Sequence, residues 1–237
     1  MSGFERIQHA MLLISFFTLV ATGFMLKFPD AWWVAPIRNL SPLVFEVRSL
    51  LHRIAAIVMI VASFIHIYYI LFVPRGKQLV KDLLPVRKDI FDAVGIVRYN
   101  LGFSKVKPKL DRFSYIEKSE YWALVWGNIV MISTGFILWF DNTFMGLLTK
   151  LGWDVARVVH YYEAWLATLA ILVWHIYFVI FNPDVYPMNL AWLKGTITET
   201  EMEEEHPLEL ERIKTEDIVL QGEEMKTKDA GREIEKS

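Results

Sequence analysis

Apolar and charged residues are segregated along this chain. A helix needs about 20 consecutive apolar residues to cross a bilayer. Four stretches meet that length: 7–27, 52–73, 120–140 and 157–182. The interior of the fourth carries one acid, Glu163. The pattern predicts an all-α membrane protein, a four-transmembrane-helix bundle over residues 1–194, followed by an acidic tail over 195–237. The first stretch lacks the small-residue cleavage site of a removed signal peptide and reads as a retained anchor.

The loop 74–119 contains two shorter amphipathic patterns, 77–84 and 88–101. In the second, Phe91, Val94, Val97 and Leu101 recur at helical spacing while Lys88, Asp92 and Arg98 fall elsewhere. Such helices lie in the lipid interface, and Asn100-Leu101-Gly102 reads as a stop signal. Residues 74–120 hold eleven Lys/Arg, against three or fewer in the loops after the first and third spans. The positive-inside rule puts this loop in the cytoplasm, and four spans put both termini there with it. The tail carries Glu199, Glu201, Glu203, Glu204, Glu205, Glu209 and Glu211. It has too little apolar surface to fold alone, and reads as a strap on a cytoplasmic partner or as a solvated tail.

Composition narrows the chemistry. The chain is 54% hydrophobic, with 25 basic against 27 acidic residues and no cysteine. Disulfides, thiolate-held iron–sulfur clusters and covalently attached c-type haem are therefore excluded. There is no Gly-rich phosphate loop, and nothing supports nucleic-acid binding.

Histidine is the informative residue. His52 and His66 are 14 residues apart, and His160 and His175 are 15 apart. Either spacing is close to four helical turns, about 21 Å, so each helix presents imidazole near both edges of a hydrocarbon core about 30 Å thick. Ionisable groups inside a membrane are costly unless they have work to do. Two such helices side by side offer an outer and an inner pair of ligands, as two stacked six-coordinate b haems require. His9, at the start of the first span, lies level with His66 and His175. The outer haem then has His52 and His160, and the inner haem has His175 with either His9 or His66. The spare histidine leaves room for a third haem. Small residues such as Gly23, Ala55, Ala62, Gly127 and Gly135 provide flat space between helices. Arg48, Arg53 and Arg157, beside His52 and His160, are candidate partners for haem propionates. His206, in the tail, reads as solvated.

Several segments resemble the formate dehydrogenase gamma subunit and its Ni-Fe hydrogenase cytochrome b relatives. These are Glu5-Arg6-Ile7-Gln8-His9, Thr22-Gly23-Phe24, Leu51-His52, Arg98-Tyr99-Asn100-Leu101-Gly102 and His175-Ile176-Tyr177. The resemblance covers residues 4 to about 195. It implies a di-haem cytochrome b subunit of a prokaryotic respiratory complex in the cytoplasmic (inner) membrane. It also implies outer ligands at His52 and His160, inner ligands at His9 and His175, and a menaquinone pocket at Asn100 and Gly102. The chain departs from that pattern in having His66 and a fourth-span spacing of 15 rather than 14. In these respects it is similar to cytochrome b6, where two helices supply all four ligands.

The expected function is electron transfer across the membrane between menaquinone or ubiquinone and a partner subunit. That partner carries an iron–sulfur cluster or multiple c-type haems, since this chain has neither motif, and the chain is not expected to be catalytic alone. The alternative is a haem-free membrane anchor, or a histidine-lined proton or metal transporter. The mid-membrane stretches lack the acids and broken helices that a transport path uses.

Overall fold

The computed structural model describes residues 1–183 and 185–234, with side chains up to residue 221; the last three residues of the expected tail lie outside the described residues. The described chain is helical throughout, without a strand. Four helices are long and apolar enough to cross a membrane: Gly3–Lys27, Pro42–Phe72, Tyr115–Trp139 and Asp141–Phe181. They cover the four expected spans and extend up to about 16 residues beyond them at their N-terminal ends. A 31-residue helix such as Pro42–Phe72 is about 46 Å long, so its ends project past the hydrocarbon core.

The chain forms two compact units. The first comprises residues 1–81 and 120–196, and the second residues 82–119 with 197 onward.

In the first unit, α1 (Gly3–Lys27) begins with a capping box, in which Ser2 N–H donates to Glu5 and Glu5 N–H to the Ser2 hydroxyl. The short α2 (Ala35–Leu40) leads into α3 (Pro42–Phe72), whose first residue is a proline. A proline there costs no helical hydrogen bond, because that N–H would be unpaired anyway. Helix α4 (Pro74–Asp82) follows. The buried positions of α1 are Gln8, Ser15, Thr22 and Met25, and those of α3 are Ala55, Met59, Ala62 and Tyr69. Small and polar residues at a seven-residue interval let two helices approach closely in lipid, where apolar burial by itself gives no preference for a neighbour. The seam's hydroxyls are satisfied within their own helix, Ser15 donating to Met11 O at 2.7 Å and Thr22 to Thr18 O at 2.6 Å. Large apolar side chains point outward instead, with Phe64 67% and Val173 67% exposed. That inversion suits a lipid solvent.

Two long helices complete this unit. α6 (Tyr115–Trp139) enters it at Glu120, and α7 (Asp141–Leu169) bends at Thr149, where φ is +64°. β-Branched residues avoid that region, so the chain turns there and the long straight part of α7 starts after it. Beyond Leu169 the helix widens into π turns over Ala170–His175 and Tyr177–Phe181. The short α8 (Ala191–Lys194) closes the unit, its last carbonyl accepting from the Arg6 guanidinium.

The second unit is built on α5 (Arg87–Asn100). Phe91, Val94, Val97 and Leu101 are 74, 53, 54 and 65% exposed, the apolar stripe expected of an interfacial helix. The stop lies where the sequence indicates: Gly102 has φ +78°, with Gly102 N–H donating to Tyr99 O and Phe103 N–H to Arg98 O. This pairing satisfies the last carbonyls of the helix.

The tail is ordered as α9 (Glu199–Glu205) and α10 (Pro207–Ile234). Leu208 N–H donates to Leu110 O, Arg212 pairs with Asp111 at 2.8 Å and Lys109 with Glu211 at 2.6 Å. Burial alone would raise the Asp111 carboxyl, but the Arg112 amide and the Arg212 guanidinium outweigh it and hold it below the usual carboxylate range. His206 is not solvated: its side chain is 15% exposed and Nδ1 bonds Asp111 O at 2.8 Å. The tail therefore straps the chain's own 109–112 segment, a partner supplied by the same polypeptide.

Candidate functional site

All five membrane histidines lie in the first unit, on α1, α3 and the α7 span. Their positions follow from two antiparallel seams. Between α1 and α3, Thr22 meets His52, Ser15 meets Met59 and Gln8 meets His66. Each step of seven along α1 is matched by a step of seven the other way along α3. Between α6 and α7, Thr134 meets His160, Gly127 faces Glu163 and Glu120 meets His175.

At the level of His52 and His160, each ring is held by a threonine. Thr22 Oγ1 lies 3.0 Å from His52 Nδ1, and Thr134 Oγ1 lies 2.9 Å from His160 Nδ1. Both hydroxyl protons are already used, Thr22 donating to Thr18 O and Thr134 to Val130 O. The oxygens must therefore accept, so Nδ1 carries the ring proton and Nε2 keeps the lone pair. Glycine follows each threonine. A Cβ at Gly23 would lie 3.2 Å from His52 Cε1, and one at Gly135 would lie 3.3 Å from His160 Cε1. Any other residue would press on the rings. His52 and His160 lie within electrostatic range of each other.

At the other level the histidines differ. His175 Nδ1 lies 3.0 Å from Glu120 Oε2, and a carboxylate only accepts, so Nε2 again keeps its lone pair. Among the described residues no hydrogen-bond partner reaches Nε2 of His52, His160 or His175. His66 is engaged on both sides, with Nδ1 at 2.9 Å from Gln8 Oε1 and Nε2 at 3.1 Å from Tyr121 Oη. Its Nδ1–H donates to the amide oxygen, and its Nε2 accepts from the phenol. His9 Nδ1 is buried without a hydrogen-bond partner. The His9 ring lies 5.8 Å from that of Trp192 and within electrostatic range of His175.

The basic candidates are already partnered in part. The Arg48 guanidinium lies 3.9 Å above the Phe45 ring, with Nε buried and unbonded. Arg53 lies over Trp139, and Arg157 pairs with Asp154 at 3.1 Å. Glu163 Oε1 occupies space opened by Gly127, where a Cβ would lie 3.1 Å away. Asn100 and Gly102 are exposed residues of the second unit, and no partner is recorded for the Asn100 amide.

Reading the histidines alone misses the residues that orient them: Thr22, Thr134, Glu120 and Tyr121. A signal for the threonines is present, because Thr-Gly-Phe occurs at 22–24 and again at 134–136.

Comparison with known proteins agrees with this architecture. The chain is 26% identical over 195 residues to the formate dehydrogenase cytochrome b556 subunit of Haemophilus influenzae, covering 81% of this chain and 70% of the relative. Residues 1–189 match the family described as prokaryotic cytochrome b561. The histidine-bearing four-helix unit thus belongs to the prokaryotic cytochrome b561 family, membrane electron-transfer subunits that hold haem b.

Proposed function

We propose that this chain is the quinone-reactive cytochrome b subunit of a respiratory complex of the formate dehydrogenase type, carrying electrons across the membrane on two b haems. The observation that supports it is the state of the imidazoles. At His52, His160 and His175 the Nδ1–H is committed to an acceptor while Nε2 keeps an unclaimed lone pair. That is the condition of an iron-ligating histidine with its supporting partner in place. The donor set fits haem b, and the glycines at 23 and 135 leave room beside the rings.

The outer haem is assigned to His52 and His160, and the inner haem to His175 and His9. His66 is left out because its remaining lone pair accepts from Tyr121. His9, by contrast, is a buried polar group that the polypeptide alone does not satisfy. When bound, haem b supplies a reversible one-electron couple at an iron with both axial positions filled.

The chain's own residues set the conditions. Thr22 and Thr134 fix ring orientation and tautomer at the outer site. Glu120 makes His175 a more basic ligand than a neutral acceptor would. Arg48, Arg53 and Arg157 are the cations nearest the outer histidines in sequence and are assigned to the propionates. Asn100 and Gly102 are assigned to the pocket for menaquinone or ubiquinone, where the exposed amide can donate to a quinone carbonyl. The basic loop and both termini are assigned to the cytoplasm. Electrons enter or leave through a partner subunit bearing iron–sulfur or multihaem c centres.

The test is a reduced-minus-oxidised spectrum of the purified chain with haem quantitation. The expected result is a b-type α-band, two haems per polypeptide, and reduction by added menaquinol or ubiquinol. A colourless protein from haem-replete cells would overturn the proposal.

A further inference from the structure

The transmembrane bundle carries an internal repeat. Thr22-Gly23-Phe24, Leu26 and Phe28 recur as Thr134-Gly135-Phe136, Leu138 and Phe140, 112 residues later. His66-Ile67-Tyr68, Phe72 and Pro74 recur as His175-Ile176-Tyr177, Phe181 and Pro183, 109 residues later. His52 and His160 are 108 apart. So are Ser41, where the chain breaks between α2 and α3, and Thr149, where α7 bends. Equivalent residues make equivalent contacts, since Thr22 holds His52 as Thr134 holds His160, and Gln8 holds His66 as Glu120 holds His175.

The change of offset from 108 to 109 places one additional residue between His160 and His175. Fifteen residues of regular helix would rotate His175 by about 100° from the face that fourteen would give it. A π turn closes on the fifth residue rather than the fourth and so takes up one residue without losing the face. The π segment Ala170–His175 lies within this interval. It brings His175 back into the register that His66 occupies on α3.

Against this symmetry, one substitution stands out. The counterpart of His9, 112 residues on, is Tyr121. Tyr121 reaches His66, the inner histidine of the opposite copy, and His9 neighbours His175, its inner histidine. His66 resembles a ligand in every respect except that the tyrosine hydroxyl takes its lone pair. Resting on the ligand assignment proposed above, we infer that the His9/Tyr121 pair determines which half of the duplicated bundle binds the inner haem. Imidazole at position 9 selects His175, and phenol at position 121 closes His66.

The experiment is a reciprocal exchange in the full-length cytochrome, read by haem content and the oxidised low-spin spectrum, with the outer haem as the folding control. His9→Tyr alone is expected to leave one haem per chain. Adding Tyr121→His is expected to restore two, with the inner haem now lost on further His66→Ala and kept on further His175→Ala. Retention of two haems by His9→Tyr alone would refute the ligand assignment itself. One haem in the double exchange, or an inner haem that still needs His175, would overturn the inference while leaving that assignment intact. Should the double exchange lose both haems, Tyr121→Phe decides. Faster carbethoxylation of His66 by diethylpyrocarbonate at unchanged haem content supports the lock, and an unchanged rate overturns it.

Discussion

The hairpins α1–α3 and α6–α7 treat their upper histidines alike and their lower histidines differently. Above, each ring rests on a threonine that follows an identical logic, donating to its own helix and accepting from imidazole. Below, one histidine rests on a neutral amide and the other on a carboxylate. The middles of the seams also diverge. Ser15 packs against Met59 in the first, whereas Gly127 makes room for Glu163 in the second. A duplicated frame therefore fixes where imidazoles can stand, and a few side chains at one level decide what each can bind.

The largest effect expected from testing this comparison is at the upper level. Thr22→Val and Thr134→Val remove equivalent acceptors, and each is expected to weaken retention of the outer haem by about 10- to 100-fold. Haem transfer to apomyoglobin, followed against time for each variant, measures it. Equal losses sharpen the equivalence of the two copies, and a loss confined to one variant breaks it.

A smaller effect is expected below. Glu120→Gln replaces the carboxylate behind His175 with an amide, making the ligand less basic, so the oxidised haem is less favoured and the inner midpoint potential rises. Gln8→Glu, the same change behind His66, is expected to leave both potentials where they were. A redox titration followed at the α-band reads both variants. An unmoved or lowered inner potential in Glu120→Gln, or a shift of comparable size in Gln8→Glu, would contradict the different roles assigned to His175 and His66.

The fold was legible because lipid imposes a simple code. Uncharged runs of bilayer length gave the four helices, and Asn100-Leu101-Gly102 gave the end of α5, since only a glycine adopts that backbone without penalty. The helix starts were less legible, because interfacial turns such as Pro42-Leu43-Val44 carry no membrane signal of their own. The tail was harder still. Its glutamates suggest solvation until Lys109 and Arg212 are seen to form ion pairs.

Among the histidines, spacing identified the candidates but left His9 and His66 open. What separates them is the engagement of individual ring nitrogens, and that depends on Gln8, Tyr121 and Glu120 on neighbouring helices. The odd 15-residue spacing of the fourth span was visible as an anomaly. Its physical resolution, a π segment that takes up the residue, needed the backbone.

The measurement that bears most directly on the account compares haem content in His9→Ala and His66→Ala, purified side by side. The account predicts one haem per chain in His9→Ala and two in His66→Ala. Two haems in His9→Ala with one in His66→Ala would contradict it.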